Sequence, residues 1–323
     1  MSFTNDAKAV IALTTRLGNR NRPSLPPVRW HELSQALVEN GLTPADLFDP
    51  ELDLARIPGI HSETAFSIRE LLIDASATTV AASEFDRKGI WTLTIADDDY
   101  PRPFADRLGR NAPPVMFGAG DRSLLVGDGI AIVGSRDVGS EGAEVAQGIA
   151  TAAVALSRPV VSGGARGVDQ LAMNAAYQAG GKVIGVLADS LQGRIRNSEI
   201  LRALDAGTTC LITQQAPPAG FSTGAAMSRN KLIYALSVLT VVIATDEGSG
   251  GTWAGATEAI KTSNGVVAVW RGDGEGPGNG ALERQGAVTI RSSQELAELL
   301  NSESFEVPAE TEDPVQLGFL DVM

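Results

Sequence analysis

The chain has 323 residues, 43% of them hydrophobic and 20% charged, with a formal net charge of −13 at pH 7. That is length for about two domains and a core that needs no staples. Such acidity excludes a protein that coats nucleic acid with its whole surface, so any polyanion must meet a focused basic site.

No apolar run approaches the roughly 18 residues of a membrane span. The opening MSFTNDAKAV lacks the order of a signal peptide, so a cytoplasmic protein is expected, with no membrane contact. One cysteine, Cys210, and two histidines, His31 and His61, cannot assemble an intrachain disulfide, a structural zinc site or a His-based triad. No metal, cofactor or catalytic residue is expected. Cys210 lies in the apolar run 209–213 and reads as a buried strand thiol, a reactive nucleophile being the alternative.

In chain order, residues 7–17 are apolar at helical spacing and are followed by the loop GNRNRPSLPP. Residues 28–39 predict a second helix, ended by Gly41. Residues 54–68, LARIPGIHSETAFSI, resemble a helix-hairpin-helix or SAM-like element, whose glycine turn points amides at a DNA phosphate. His61 stands where such motifs usually carry a second glycine, and a purely structural helical domain is the other reading. Residues 1–88 are therefore expected to form a small helical domain.

From residue 89 the pattern changes. Short apolar runs at 91–95, 111–120, 130–133, 160–161, 183–187, 210–212, 239–244 and 266–270 alternate with helix-length segments such as 141–156 and 169–179. This predicts an α/β fold, an extended Rossmann-like domain over residues 89–300 with a mainly parallel sheet covered on both faces. Ligands of such sheets bind at the carboxyl ends of the strands. Residues 301–323 are acidic without Lys or Arg and read as a solvated tail.

Four stretches carry candidate chemistry. In Gly134, Ser135 and Arg136, glycine admits close backbone approach, the hydroxyl can donate to a phosphate and the guanidinium can grip it; a plain turn is the alternative. Ser162, Gly163, Gly164, Arg166, Gly167 and Asp169 place three glycines ahead of a helix, a cradle of amides at its positive end, with Asp169 either a cap or a ligand-contacting acid. Arg229, Asn230 and Lys231 stand in GAAMSRNKLIYALS, the two cations at a loop or helix start; a solvated helix face is the alternative. Gly250, Gly251 and Thr252 open a further helix, with Thr252 a cap and donor, and Glu258 lies within reach of a ligand or faces solvent. Arg136, Arg166, Arg194, Arg196, Arg229 and Lys231 cluster beyond strand ends. Tyr234 and Trp253 are the aromatics nearest these loops.

Taken together, GSR, SGGARGVD, MSRNKLI and SGGTWAGATEA resemble, in order and approximate spacing, the DNA-processing protein A family, also called Smf or DprA. The resemblance covers roughly residues 91–270, and the helical segment ahead of them is similar to the family's own. It implies a non-enzymatic binder of single-stranded DNA, commonly a homodimer, that helps deliver strands to a RecA-type recombinase. It also implies a phosphate-gripping role for Gly134, Ser135, Arg136, Ser162, Gly163, Arg166 and Gly167, with Arg229, Asn230 and Lys231 on the same rim. Two departures mark a divergent branch: the family's usual His after the Asp falls near Met173, and the segment after residue 301 is too short for a C-terminal winged helix. The wider superfamily leaves two alternatives. One is a nucleotide-signal sensor or antitoxin-like component of phage defence, with a toxin partner. The other is a nucleoside monophosphate N-glycosidic hydrolase using Glu258.

Overall fold

The computed structural model describes residues 3–301. Thr4 caps α1 (Asn5–Thr14) by accepting from the Ala7 N–H at 3.1 Å, so the helix starts two residues before its apolar pattern does. Ala7 and the run from Ala9 to Leu13 are fully buried, which makes α1 the centre of the helical layer rather than one of its faces. Around it pack α2 (Pro27–Glu39), α3 (Ser62–Ile73) and α4 (Ala75–Asp86). The hairpin stretch forms a single 3-10 turn, Leu54–Arg56, ahead of α3. Gly59 adopts φ +87°, and a Cβ there would lie 3.1 Å from the Ala36 Cβ, so this turn is pressed onto α2.

The sheet follows. Its strands are β1 (Trp91–Thr94), β2 (Val115–Gly120), β3 (Gly129–Val133), β4 (Val160–Ser162), β5 (Val183–Val186), β6 (Thr209–Thr213), β7 (Ser237–Val242), β8 (Val266–Trp270) and β9 (Val288–Ile290). The helices between and after them are α5 (Arg102–Leu108), α6 (Ser140–Ala155), α7 (Val168–Gln178), α8 (Leu191–Arg194), α9 (Ser198–Asp205), α10 (Thr223–Ala235), α11 (Gly250–Thr262), α12 (Asn279–Arg284) and α13 (Ser293–Asn301). Strand order is β1-β2-β6-β5-β4-β3-β7-β8-β9. β2 runs antiparallel to both β1 and β6, and every other pairing is parallel. β9 is too short and too isolated in sequence to register as a strand; its pairing with β8 makes it one.

Alternate strand residues serve opposite faces. Ile130, Ile132, Val160, Val183, Leu239 and Val241 pack under α6, α7 and α13. Ala131, Val133, Val161, Ile184, Cys210 and Val242 pack under α5, α10, α11 and α12. The N-terminal helices join a third cluster with Val115 and Phe117 of β2 and Leu211 of β6. Cys210 is fully buried and its thiol is pushed up to about 12 by burial, the state of an inert strand thiol.

β3 has β4 on one side and β7 on the other, and the chain reaches β7 only after filling the opposite half of the sheet. The order of strands in the chain therefore reverses between β3 and β7, the switch point at which ligands of such sheets bind. Asn279 ties the ends of β7 and β8 together beside it. Fully buried, it accepts from the Thr245 N–H at 3.0 Å and donates to the Ile243 and Trp270 carbonyls at 2.8 Å each. Asn279→Ala leaves these backbone groups unpaired and is expected to cost about 3 kcal/mol, measured as a lower urea midpoint with an unchanged slope.

Candidate nucleic-acid interface

The loop after β3 is stitched to its neighbours through the backbone. The Ser135 N–H donates to the Ala244 carbonyl at 2.9 Å, and the Ser135 carbonyl accepts from the Val168 N–H at 3.2 Å. Gly134 and Gly167 permit this. A Cβ on Gly134 would fall 2.6 Å from the Val168 side chain, and one on Gly167, at φ +84°, would fall 2.3 Å from the Ser135 carbonyl oxygen. The Thr252 hydroxyl donates to the Gly134 carbonyl at 3.0 Å. Thr252 is therefore a tie between α11 and the β3 loop, not the cap expected from the sequence; Ser249 flanks the helix and makes no side-chain cap bond.

The loop after β4 is built around an internal carboxylate. Asp169 Oδ2 accepts from the Gly163 N–H at 3.2 Å and the Ala165 N–H at 3.4 Å, and stands 3.8 Å from Arg229 Nη1. Both side chains are buried, each residue only 6% exposed. Arg229 also donates to the Val186 carbonyl at 3.1 Å. A Cβ on Gly163 would overlap the guanidinium, at 1.3 Å from Nη1. Desolvation pushes the Asp169 carboxyl up to about 6 against the opposing pull of Arg229, the two amides and Arg136, while desolvation lowers the Arg229 pKa. The glycine cradle thus holds a carboxylate of the chain itself. Ser162 also departs from expectation: fully buried, it donates to the Ile132 carbonyl at 2.7 Å and does not face the rim.

Other members occupy intermediate places. Arg229, Asn230 and Lys231 lie in the second and third turns of α10 rather than at a loop or helix start. Asn230 Nδ2 donates to the Gly251 carbonyl at 3.0 Å, and Lys231 pairs with Glu258 at 2.7 Å. Arg166 is exposed and pairs with Asp137 at 2.7 Å, and Arg194 grips Asp189 at 2.7 Å. Of the six clustered cations, Arg136 and Arg196 alone make no ion pair among the described residues; both are exposed. The amides of Gly164, Arg166 and Gly167 donate no hydrogen bond among the described residues, and neither do those of Gly250 and Gly251 at the exposed start of α11. Met173, in the place of the family's His, packs beneath the glycine loop, its Sδ 4.0 Å from where a Gly164 Cβ would stand.

One residue escaped the sequence reading. Phe221, in the loop between β6 and α10, is 57% exposed, and Arg136 lies over its ring at 5.7 Å from the centroid. Tyr234, expected as a nearby aromatic, is only 2% exposed. The available signal was an apolar aromatic isolated in the Pro- and Gly-rich run PPAGFS.

The topology defines a doubly wound α/β protein. The family model described as DNA recombination-mediator protein A matches residues 91–301. The chain is 30% identical over 221 residues to the DNA processing protein DprA of Bacillus subtilis, covering 67% of this chain and 73% of that protein. It is 33% identical over 143 residues to that of Streptococcus pneumoniae, covering 43% and 46% of the two chains. In fold it is similar to the X-ray structure of the Streptococcus pneumoniae DprA, with a TM-score of 0.67, 23% identity and coverage of 92% and 98%. It is also similar to a Helicobacter pylori DNA processing protein A structure concerned with single-stranded DNA binding mode, with a TM-score of 0.55, 24% identity and coverage of 65% and 95%. The chain belongs to the DNA recombination-mediator protein A family. Among the described residues, no helix is long and apolar enough to cross a membrane.

Two outcomes test the internal pair. Gly163→Ala must expel the Arg229 guanidinium and is expected to cost about 3–5 kcal/mol, the scale of a broken buried pair, read by urea denaturation. Burial holds the Asp169 carboxyl at about 6, above the ordinary carboxylate range, so the folded chain binds the extra proton. Its contribution to stability is full below about pH 4 and is lost as pH rises through about 6. Asp169→Asn is expected to flatten that part of the stability–pH curve, measured as urea midpoints from pH 4 to 7.

Proposed function

We propose that this chain binds single-stranded DNA without cutting it, along the rim formed by the loops after β3, β4, β5 and β6, as a recombination mediator. The observation that carries this reading is the state of Arg136. It is exposed and unpaired among the described residues, beside three free amides of the glycine loop, Gly164, Arg166 and Gly167. A guanidinium next to bare N–H groups favours a phosphate ester. Arg196 extends the positive edge after β5. Arg166 is exchangeable, because a surface pair with Asp137 is worth little and gives way to a better anion.

The path is asymmetric. Gly250 and Gly251 offer donors at the start of α11, yet the exposed acids Asp246 and Glu247 precede them, so the strand favours the β3–β6 side and meets α11 only at its end. Asp169, Arg229 and Ser162 shape the floor, and Gly134, Asn230 and Thr252 hold the loops in place. The pairing of Glu258 with Lys231 at 2.7 Å favours the binder over a hydrolase that uses Glu258 as its base. Family membership supports hand-over of the strand to a RecA-type recombinase and a homodimeric state. Equilibrium sedimentation of the full chain tests the dimer.

Fluorescence anisotropy with labelled oligodeoxynucleotides at two salt concentrations tests the binding. Affinity should fall steeply with salt, log K losing about 0.7 per neutralised phosphate for each unit of log salt. Arg136→Ala should weaken all sequences alike and reduce that slope by about one phosphate. A salt-insensitive constant contradicts the reading. So does a mononucleotide that raises the thermal midpoint where an oligonucleotide of equal phosphate content does not.

A further inference from the structure

Resting on the single-strand reading, we propose that Phe221 is a stacking platform for an unpaired nucleobase, set beside the phosphate site of Arg136. The ring is held outside the core by fixed points on either side. Upstream, the Pro217 carbonyl accepts from the Gln192 N–H at 3.0 Å and the Ser190 hydroxyl at 3.1 Å, and the Ala219 N–H donates to the Ala216 carbonyl at 2.8 Å. Downstream, Ser222 caps α10 by accepting from the Ala225 N–H at 3.1 Å. Between them Phe221 is 57% exposed.

Its partner comes from the end of a distant strand. Arg136 follows β3 and Phe221 follows β6, with β4 and β5 between them, yet the guanidinium lies 5.7 Å from the ring centroid. The pair therefore spans the ends of β4 and β5, beside the glycine loop. A guanidinium set against an aromatic ring keeps its remaining N–H groups for a phosphate, while the ring keeps its exposed area for a flat apolar surface. A nucleotide supplies both within one residue. Duplex DNA does not, because its base faces are already stacked, so Phe221 gives the rim a preference for unpaired strands that phosphate contacts alone cannot. Because every base has a π-face, the preference is tolerant of sequence.

The test compares oligothymidylate with an abasic deoxyribose-phosphate strand of the same length, by anisotropy, for the wild type, Phe221→Ala and Phe221→Trp. Wild type should bind the thymidylate strand roughly tenfold more tightly than the abasic one, about one stacking contribution. Phe221→Ala should abolish that ratio, leaving abasic binding, the salt slope and the thermal midpoint unchanged, and Phe221→Trp should restore it. If Phe221→Ala binds thymidylate as wild type does, or weakens both strands equally, the platform is overturned while the single-strand reading stands. If wild type binds neither strand, both are overturned.

Discussion

The buried contact between Asp169 and Arg229 organises the ligand-facing half of this protein. An ion pair inside a fold is stable only when its remaining hydrogen-bonding capacity is met by neighbours. Here the Gly163 and Ala165 amides and the Val186 carbonyl meet much of it. That requirement explains the glycine loop better than a phosphate does. Gly163 lacks a Cβ because the guanidinium occupies the space, and Gly167 lacks one because the Ser135 carbonyl does. The result is a rigid floor linking β4, β5, α7 and α10, on which the exposed groups of the β3 loop are set.

On the proposed reading an acidic chain holds a polyanion, and its rim cations are compensated locally rather than present in excess. Arg166, Arg194 and Lys231 each face a carboxylate within 2.7 Å, so the positive potential narrows to Arg136 and Arg196. Focused potential of this kind steers a strand along one line and leaves the rest of the surface repulsive. The acids before α11 sharpen the contrast between the two halves of the rim. On the proposed reading Arg136 serves in two capacities, as a cation for phosphate and as the neighbour of the exposed Phe221 ring.

Period and length made the strands and most helices of the central region legible, because a parallel strand buried on both faces must be apolar throughout and must end in small residues where the chain turns. Gly129–Val133 and Val266–Trp270 could hardly be anything else. β9 was not legible, since three residues of an edge strand carry too little pattern. Thr252 was misread because a hydroxyl early in a helix has the same sequence signature whether it caps that helix or reaches another loop. Arg229 and Lys231 were placed at a loop or helix start, whereas the capping hydroxyl of Ser222 begins α10 seven residues upstream of Arg229, nearly two turns.

The class of fold and the family were already set by the sequence alone, because both follow from local periodicity and from the order of short motifs. What only tertiary structure decided was the direction in which each charged or hydroxyl group points. Ser162 and Arg229 turn inward, Arg136 turns outward, and Phe221 is brought to Arg136 from three strands away. The physical reason is that a side chain's partner is chosen by packing between segments distant in sequence, and no local pattern encodes which of two nearby cations will find the one buried carboxylate.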